Sequence, residues 1–410
     1  RKMKDSGIEW IGEIPEGWEI KRLGAILQER NEVNNPIQTT SILSLTNNRG
    51  VIPYSEKGNQ GNKAKDDLTG YKIAHIGDIV LNSMNVIIGS VGLSNYYGAV
   101  SPVYYMLFPR NNIETNIQYY NYLFQTTAFQ QSLRGYGNGI LEIRMRIQMQ
   151  KLKTVLLPVP TFLEQSNITV YLDASLSKLN ILLSKTRSSI EEYKKLKQAV
   201  ITQAVATQQC SHIKLKYLMN VIVDCPHETP TYSFTGNYYV IRTADQALAS
   251  LRRDEDMYRL DASEYKKRTR RLTLDKDDIV YGREGERWGL ACIVPKSSKY
   301  CLGQRIMQFR CNTKFLYPKY AMYALNSEPV YLQGVADTIG STSPHVNIST
   351  ICNYLLPVSA LTEQKEIADY LDAKCAEIDG LIAKKEQLVK ELESYKKSLI
   401  YEVVTGKREV

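Results

Sequence analysis

Leu157-Pro158-Val159-Pro160-Thr161-Phe162-Leu163-Glu164-Gln165 returns later in the chain as Leu356-Pro357-Val358-Ser359-Ala360-Leu361-Thr362-Glu363-Gln364. The correspondence continues without a gap. Tyr171-Leu172-Asp173-Ala174 recurs as Tyr370-Leu371-Asp372-Ala373, Ile201 falls on Ile400 and Val205 on Val404. A motif repeated at one fixed offset over this length marks an internal duplication of a supersecondary unit. Upstream the copies match more loosely. Gly77-Asp78-Ile79-Val80 resembles Asp277-Asp278-Ile279-Val280, and Ser101-Pro102 through Phe108 has the pattern of Gly303-Gln304 through Phe309. Ile20-Lys21-Arg22-Leu23 resembles Leu215-Lys216-Tyr217-Leu218. The order is therefore variable block, similar block, variable block, similar block.

The similar blocks read as long helices. Apolar residues fall at Leu172, Leu176, Leu179, Leu183, Ile190, Tyr193, Val200 and Ala204, in steps of four and three that trace a heptad seam. Thr186 and Lys197 interrupt it. The second seam runs through Leu371, Cys375, Ile378, Ile382, Val389, Leu392, Leu399 and Val403, with Lys385 and Lys396 as matching interruptions. Matching seams with matching breaks predict two helices that pack on each other. Thr161 and Glu164 have the spacing of a capping box. Ala360 stands in the place of Thr161, so the second cap must differ. At 1.5 Å per residue, Glu164 to Ala206 gives a helix on the order of 60 Å, long enough for a spacer.

The variable blocks read as mixed α/β. Short strands are predicted at Asp78 to Leu81, Val103 to Phe108, Asp278 to Tyr281 and Met307 to Arg310, and a helix at Ile117 to Phe129. Polar loops lie between them: Thr46 to Lys65, Asn82 to Tyr97, the Arg- and Lys-dense stretch Arg242 to Arg271, and Gly282 to Trp288. Asn, Arg and Lys suit contacts to base edges and phosphates. The candidate nucleic-acid contacts are Asn47, Arg49, Tyr54, Lys63, Asn85, Arg144 and Arg146 in the first block. In the second they are Arg242, Arg252, Arg253, Arg283, Arg287, Trp288, Ser343 and His345.

The 410 residues carry a net charge of +9, which accommodates an anionic partner without requiring one. No apolar run reaches the roughly 18 residues of a membrane span, and the expected location is cytoplasmic. All seven cysteines lie from Cys210 onward with no regular spacing, which argues against a disulfide framework. Cys210-x-His212 and Cys225-x-His227 match no common zinc spacing, so no metal site is expected. No two prolines are adjacent, which removes the Asn/Asp-Pro-Pro-aromatic loop of base-flipping methyltransferases. A Walker A loop is absent. Gly135-Tyr136-Gly137-Asn138-Gly139 follows a polar helix rather than a strand, the wrong context for a cofactor loop. No catalytic residue is expected.

The opening Asp5-Ser6-Gly7-Ile8-Glu9-Trp10-Ile11-Gly12-Glu13-Ile14-Pro15-Glu16-Gly17-Trp18 and the two Leu-Pro-x-x-x-x-x-Glu-Gln blocks resemble the specificity subunits of type I restriction-modification systems. The resemblance covers essentially the whole chain, although the second copy lacks the Trp10 to Trp18 segment. It implies a mixed α/β fold with a pseudo-two-fold internal duplication. Two target-recognition domains (1–156 and 209–355) would be joined by two long antiparallel helices (157–208 and 356–410) forming a coiled coil. Each domain would read one half of a bipartite site on double-stranded DNA. The helices would set the spacer and dock two methyltransferase subunits, for which Glu164, Gln165, Glu363 and Gln364 are the candidate contacts. Restriction-translocase subunits complete such a complex, and S-adenosylmethionine, ATP and Mg would bind the partners rather than this chain. The alternative is a coiled-coil assembly scaffold that reads no sequence.

Overall fold

The computed structural model describes residues 1–47, 49–58, 63–84, 89–138, 146–206, 210–338 and 344–410. The chain divides into two compact units, Arg1–Lys185 with Leu388–Val410, and Thr186–Gln387. Each unit holds one α/β domain and a segment of each long helix, so the division runs through the helices rather than at the edges of the sequence blocks.

In the first unit a four-stranded antiparallel sheet runs in the order Leu27–Arg30, Tyr104–Pro109, Ile79–Asn82, Val91–Leu93. The second unit repeats this order with Met219–Asp224, Ile306–Cys311, Ile279–Gly282 and Ala291–Ile293, with a register shift between Met219 and Val221. The four predicted strands are thus present, each within one or two residues of its expected bounds. The loose alignment of the upstream blocks is corrected in two places. Strand Glu19–Arg22 pairs with Leu156–Val159, and Ser211–Lys214 pairs with Leu355–Val358. Arg22 and Lys214 therefore correspond, which places Leu23 on Leu215 rather than on Leu218. Leu107 lies opposite Ile79 as Phe309 lies opposite Ile279, so Leu107, not Phe108, matches Phe309. A one-residue slip would turn the wrong face to the core.

The predicted helix Ile117 to Phe129 is two helices, Ile117–Gln125 and Thr127–Ser132. Thr126 makes the break: its hydroxyl accepts from the Phe129 amide and donates to the Leu123 carbonyl. Such a side chain competes with the helix for backbone groups.

The long helices span Phe162–Val205 and Leu361–Val404, about 66 Å each at 1.5 Å per residue. Thr161 and Glu164 form the capping box: the Thr161 amide donates to Glu164 Oε2 at 3.2 Å and the Glu164 amide to Thr161 Oγ1 at 3.3 Å. Within each unit the helix segments pair antiparallel. In the first unit Leu172 and Leu176 share a core with Leu399, Ile400, Val403 and Val404, and Lys396 donates to Asn180 at 2.9 Å. In the second, Ile201 and Val205 share a core with Ala368, Leu371 and Cys375, and Lys197 bonds Asp379. The seam drifts by one position near its end, burying Ile201 and Val205 more deeply than Val200 and Ala204. An α-helix does not keep perfect step with a heptad. Thr186 and Lys197, which break the apolar pattern, are themselves buried.

Candidate nucleic-acid interface

The residues that the two copies share are mostly those that fasten each α/β domain to its helices. Gln165 is fully buried. Its side-chain oxygen accepts from the Asn116 amide at 2.8 Å, and its nitrogen donates to the carbonyls of Glu114 and Pro160. Gln364 repeats the arrangement with the Tyr317 amide at 2.8 Å and the carbonyls of Phe315 and Ser359. Both glutamines are fully buried, with the amide nitrogen and the oxygen each bonded inside the fold. The expectation that they face a partner is corrected on that ground. The aspartate of the Tyr-Leu-Asp-Ala motif is a second tie: the Tyr122 hydroxyl meets Asp173, and the Tyr323 hydroxyl donates to Asp372 at 2.8 Å. Burial, together with the neighbouring carboxylates, pushes both phenols well above their ordinary range. Glu164 is engaged by Thr161, Trp18 and Arg1, and Glu363 is half-buried.

The sheets also share a buried carboxylate. Asp78 is held by Arg30 at 2.8 and 3.2 Å, and Asp278 by Arg310 at 2.8 Å through two nitrogens. The residue before each aspartate, Gly77 or Asp277, has a positive φ. The two sheets thus use the same turn and the same buried acid, but draw the arginine from different strands.

On these frames the loops differ. In the first unit Asn47, Arg49 and Lys63 are exposed and Tyr54 is half-buried. Asn47 accepts from Ser90 at 2.6 Å, Arg49 pairs with Glu56 at 2.6 Å, and the Tyr54 hydroxyl accepts from the Ala64 amide. Arg146 is exposed on the short strand Arg146–Ile147. Asn85, Arg144 and Ser343 lie outside the described residues.

In the second unit the candidates separate into two sets. Arg252, Arg253 and Arg287 reach the surface. Arg253 is the most open at 77% side-chain exposure, beside Glu255 and Asp256. Arg287 donates to the carbonyls of Ala244 and Gln246, which holds its guanidinium in place. His345 is half-buried, and its backbone pairs with that of Glu284 in an isolated antiparallel β-bridge. The other set is half-buried or buried. Arg242 forks onto Asp245 through two bonds of 2.8 Å and lies 3.7 Å from the Tyr258 ring centroid; the Asp245 hydrogen bond raises its pKa further. Arg283 is 8% exposed, between Asp224 at 3.2 Å and Glu284 at 2.8 Å. Trp288 is also 8% exposed and stacks on Tyr331 with centroids 4.5 Å apart. As DNA contacts Arg283 and Trp288 are corrected: they brace the loop Gly282 to Trp288 from beneath.

Exposed arginines that single-residue reasoning missed include Arg259, Arg270, Arg271 and Arg305. Three of them fall in or beside the Arg- and Lys-dense stretch, so its density was the signal. Phe234, fully exposed, carried no signal at all. The backbone grips it on both sides, through the bond from the Ser233 amide to the Arg259 carbonyl and through Gly236, which abuts the Leu260 backbone.

Asp224, Cys225 and His227 bring three donor atoms within 4.8 Å of one another. Arg283 donates to Asp224 and lies 3.5 Å from His227 Nε2, so a fixed guanidinium already supplies the charge that a cation would bring. Burial pushes the Cys225 thiol up, away from the thiolate a metal would need.

A sequence profile described as the type I restriction modification DNA specificity domain matches residues 15–192 and 225–391. The chain belongs to this family. The two matched stretches fall on the two copies. Over 132 residues the chain is 28% identical to the type I restriction enzyme EcoBI specificity subunit of Escherichia coli, a match covering 32% of this chain and 27% of that protein. A chain solved in work on complex assembly and conformational transition of the type I R-M system superposes with a TM-score of 0.73 at 14% identity, covering 96% of this chain and 99% of that one. The HsdS subunit from Thermoanaerobacter tengcongensis gives 0.51 at 15% identity, with 96% and 98% covered. These likenesses establish a common fold. Among the described residues no helix is long and apolar enough to cross a membrane.

Proposed function

We propose that this chain is the sequence-reading subunit of a type I restriction-modification complex. Each α/β domain reads one half of a bipartite site on double-stranded DNA, the paired helices set the spacer, and two methyltransferase subunits dock on the chain. The observation that carries this reading is the repeated frame with unlike loops: one sheet order, one glutamine clamp and one buried aspartate, twice, beneath loops that share almost nothing. A frame kept alike while its surface loops diverge fits a reader whose two halves recognise different words.

In this reading the exposed set Asn47, Arg49, Lys63 and Arg146 contacts the first half-site. Arg252, Arg253, Arg259 and Arg287 contact the second. Cations on phosphates fix register, and a few side chains read base edges. The chain contributes no catalytic group; S-adenosylmethionine, ATP and Mg belong to its partners, among them restriction-translocase subunits.

Methylome sequencing of cells expressing this chain with its methyltransferase tests the proposal. Two unlike half-sequences separated by a constant gap are expected. Methylation with no sequence preference, or at one continuous word, would overturn it.

A further inference from the structure

The duplication provides an internal control for the surfaces of each unit. In the second unit the Lys197 ammonium donates to both carboxylate oxygens of Asp379, at 2.9 and 2.8 Å, and to the Leu248 carbonyl at 2.9 Å. Leu248 lies in the turn between strands Gln246–Ala247 and Ser250–Leu251, and with Ala249 it packs on that unit's core. The Cys292 thiol donates to the carbonyls of Ala247 and Ser250, which fixes the turn from the sheet side. The second unit therefore fills the space beside its helix pair with a turn of its own.

At the matching positions of the first unit stand Lys396 and Asn180, 2.9 Å apart. The matching hairpin, Leu43–Thr46 with Gly50–Pro53, packs on strand Val91–Leu93 as the Leu248 hairpin packs on Ala291–Ile293. None of its described residues lines the space beside the helices. Among the described residues there is an open cleft of about 550 Å³, walled by Tyr122, Gln125, Asp173, Asn180, Ile181 and Lys396 among others. Ile181 is 54% exposed there, where the second copy has Gly380.

We propose that this cleft docks a tight turn of a partner polypeptide. The turn presents an aliphatic side chain to Ile181 and a backbone carbonyl to Lys396, as the Leu248 turn presents its own to Lys197. A peptide fits the wall better than a nucleic acid does: the Asp173 carboxylate repels phosphate, and an exposed isoleucine is covered by aliphatic surface. Among the described residues the cleft is open in the first unit and filled in the second, which gives one such site per chain. The inference rests on the duplication and not on the reading of DNA.

The test uses the full chain and a head-to-tail cyclised, fluorescent peptide of residues 244–252, the turn that fills the second cleft. Saturable binding by anisotropy is expected, weakened about tenfold by Ile181→Asp, as loss of one buried aliphatic contact implies, and severalfold by Lys396→Met, as loss of one hydrogen bond implies. Gly380→Asp, the matching change in the second unit, should leave binding unchanged. Tethering removes dependence on the free peptide's affinity. A thiol-bearing peptide should form a disulfide with Ile181→Cys in preference to Gly380→Cys, and Leu248→Asp in the peptide should abolish that preference. Equal binding by the wild type and Ile181→Asp, or equal tethering at the two cysteines, would overturn the proposal. Neither readout involves DNA or methylation, so its failure and that of the specificity reading are separable.

Discussion

Replacing Lys197 with methionine isolates one ammonium in the helix seam. Methionine keeps the length and most of the apolar contact of the lysine stem, so packing changes little. What disappears are three charge-assisted hydrogen bonds, two to Asp379 and one to Leu248. Breaking a buried ion pair costs about 3–5 kcal/mol where the remaining charge stays dry. Asp379 is 47% exposed, so water recovers much of it, while the Lys197 side chain is only 6% exposed and loses a desolvation cost when removed. The net effect should be near 2 kcal/mol, about the size of one hydrogen bond to a charged group. For a unit of this size that lowers the melting temperature by about 4–8 °C. Asp379→Asn recreates the Lys–Asn pair of the first unit and should cost about half as much, since it exchanges a charged acceptor for a neutral one. Because a chain of two units need not unfold in one step, the assay is hydrogen exchange resolved by segment. Protection should fall across the helix segments of 186–205 and 361–387 and hold in the first unit. A neutral or stabilising Lys197→Met would refute the reasoning, since the ammonium would then be a net desolvation cost rather than a tie between the helices and the Leu248 turn.

Gln165→Ala and Gln364→Ala should each cost about 2 kcal/mol, because each leaves a backbone amide and two carbonyls without their partner. Chemical denaturation checks the cost, and a pulldown with the methyltransferase should show affinity unchanged wherever the domain stays folded. Arg253→Ala should weaken DNA binding, reduce the salt dependence by roughly one counterion and leave stability unaltered. Arg283→Ala should instead destabilise the second unit by about 2 kcal/mol, because Asp224 and Glu284 lose their shared cation. Burial raises the Glu164 pKa, but the Trp18 indole N–H, both Thr161 donors and Arg1 outweigh it and hold the group below its ordinary 4.5. A carboxylate depressed in the folded state contributes stability above that value and loses it as pH falls through the folded pKa. Glu164→Gln should therefore flatten the acid limb of the stability profile below about pH 4.5, and a limb as steep as that of the wild type would count against the network.

The helices and the four main strands were legible because each is written in a short period, seven residues along the seam and two along a strand, and the twofold repetition because its copies match without a gap at one offset. The capping box at Thr161 and Glu164 was legible because both halves lie within four residues. The break at Thr126 was not. Tyr120, Leu123 and Phe124 sit at helical core spacing just before it, and a threonine hydroxyl leaves no mark on that period. The alignment of the upstream halves failed for a related reason: short apolar strings such as Ile20 to Leu23 match at several offsets, and only pairing with the Leu-Pro-Val strands selects one.

The site was harder to read because an arginine in a polar loop has the same sequence signature whether its partner is a phosphate or an aspartate of the same chain. Arg283 finds Asp224, and Arg310 on a neighbouring strand finds Asp278. Both acids come from elsewhere in the fold, so no local window contains the pair. Duplication supplies a sharper criterion than residue type. Positions that keep both their identity and their partner in the two copies, as Gln165 and Gln364 do, answer to the frame and are poor candidates for recognition. Positions on the unlike loops whose side chains stay exposed, as Arg253 and Arg49 do, are the better candidates for recognition. Arg283 shows why both conditions are needed, since it has no repeated partner and yet is buried. The combination of divergence with exposure, rather than positive charge alone, selects the residues worth substituting first.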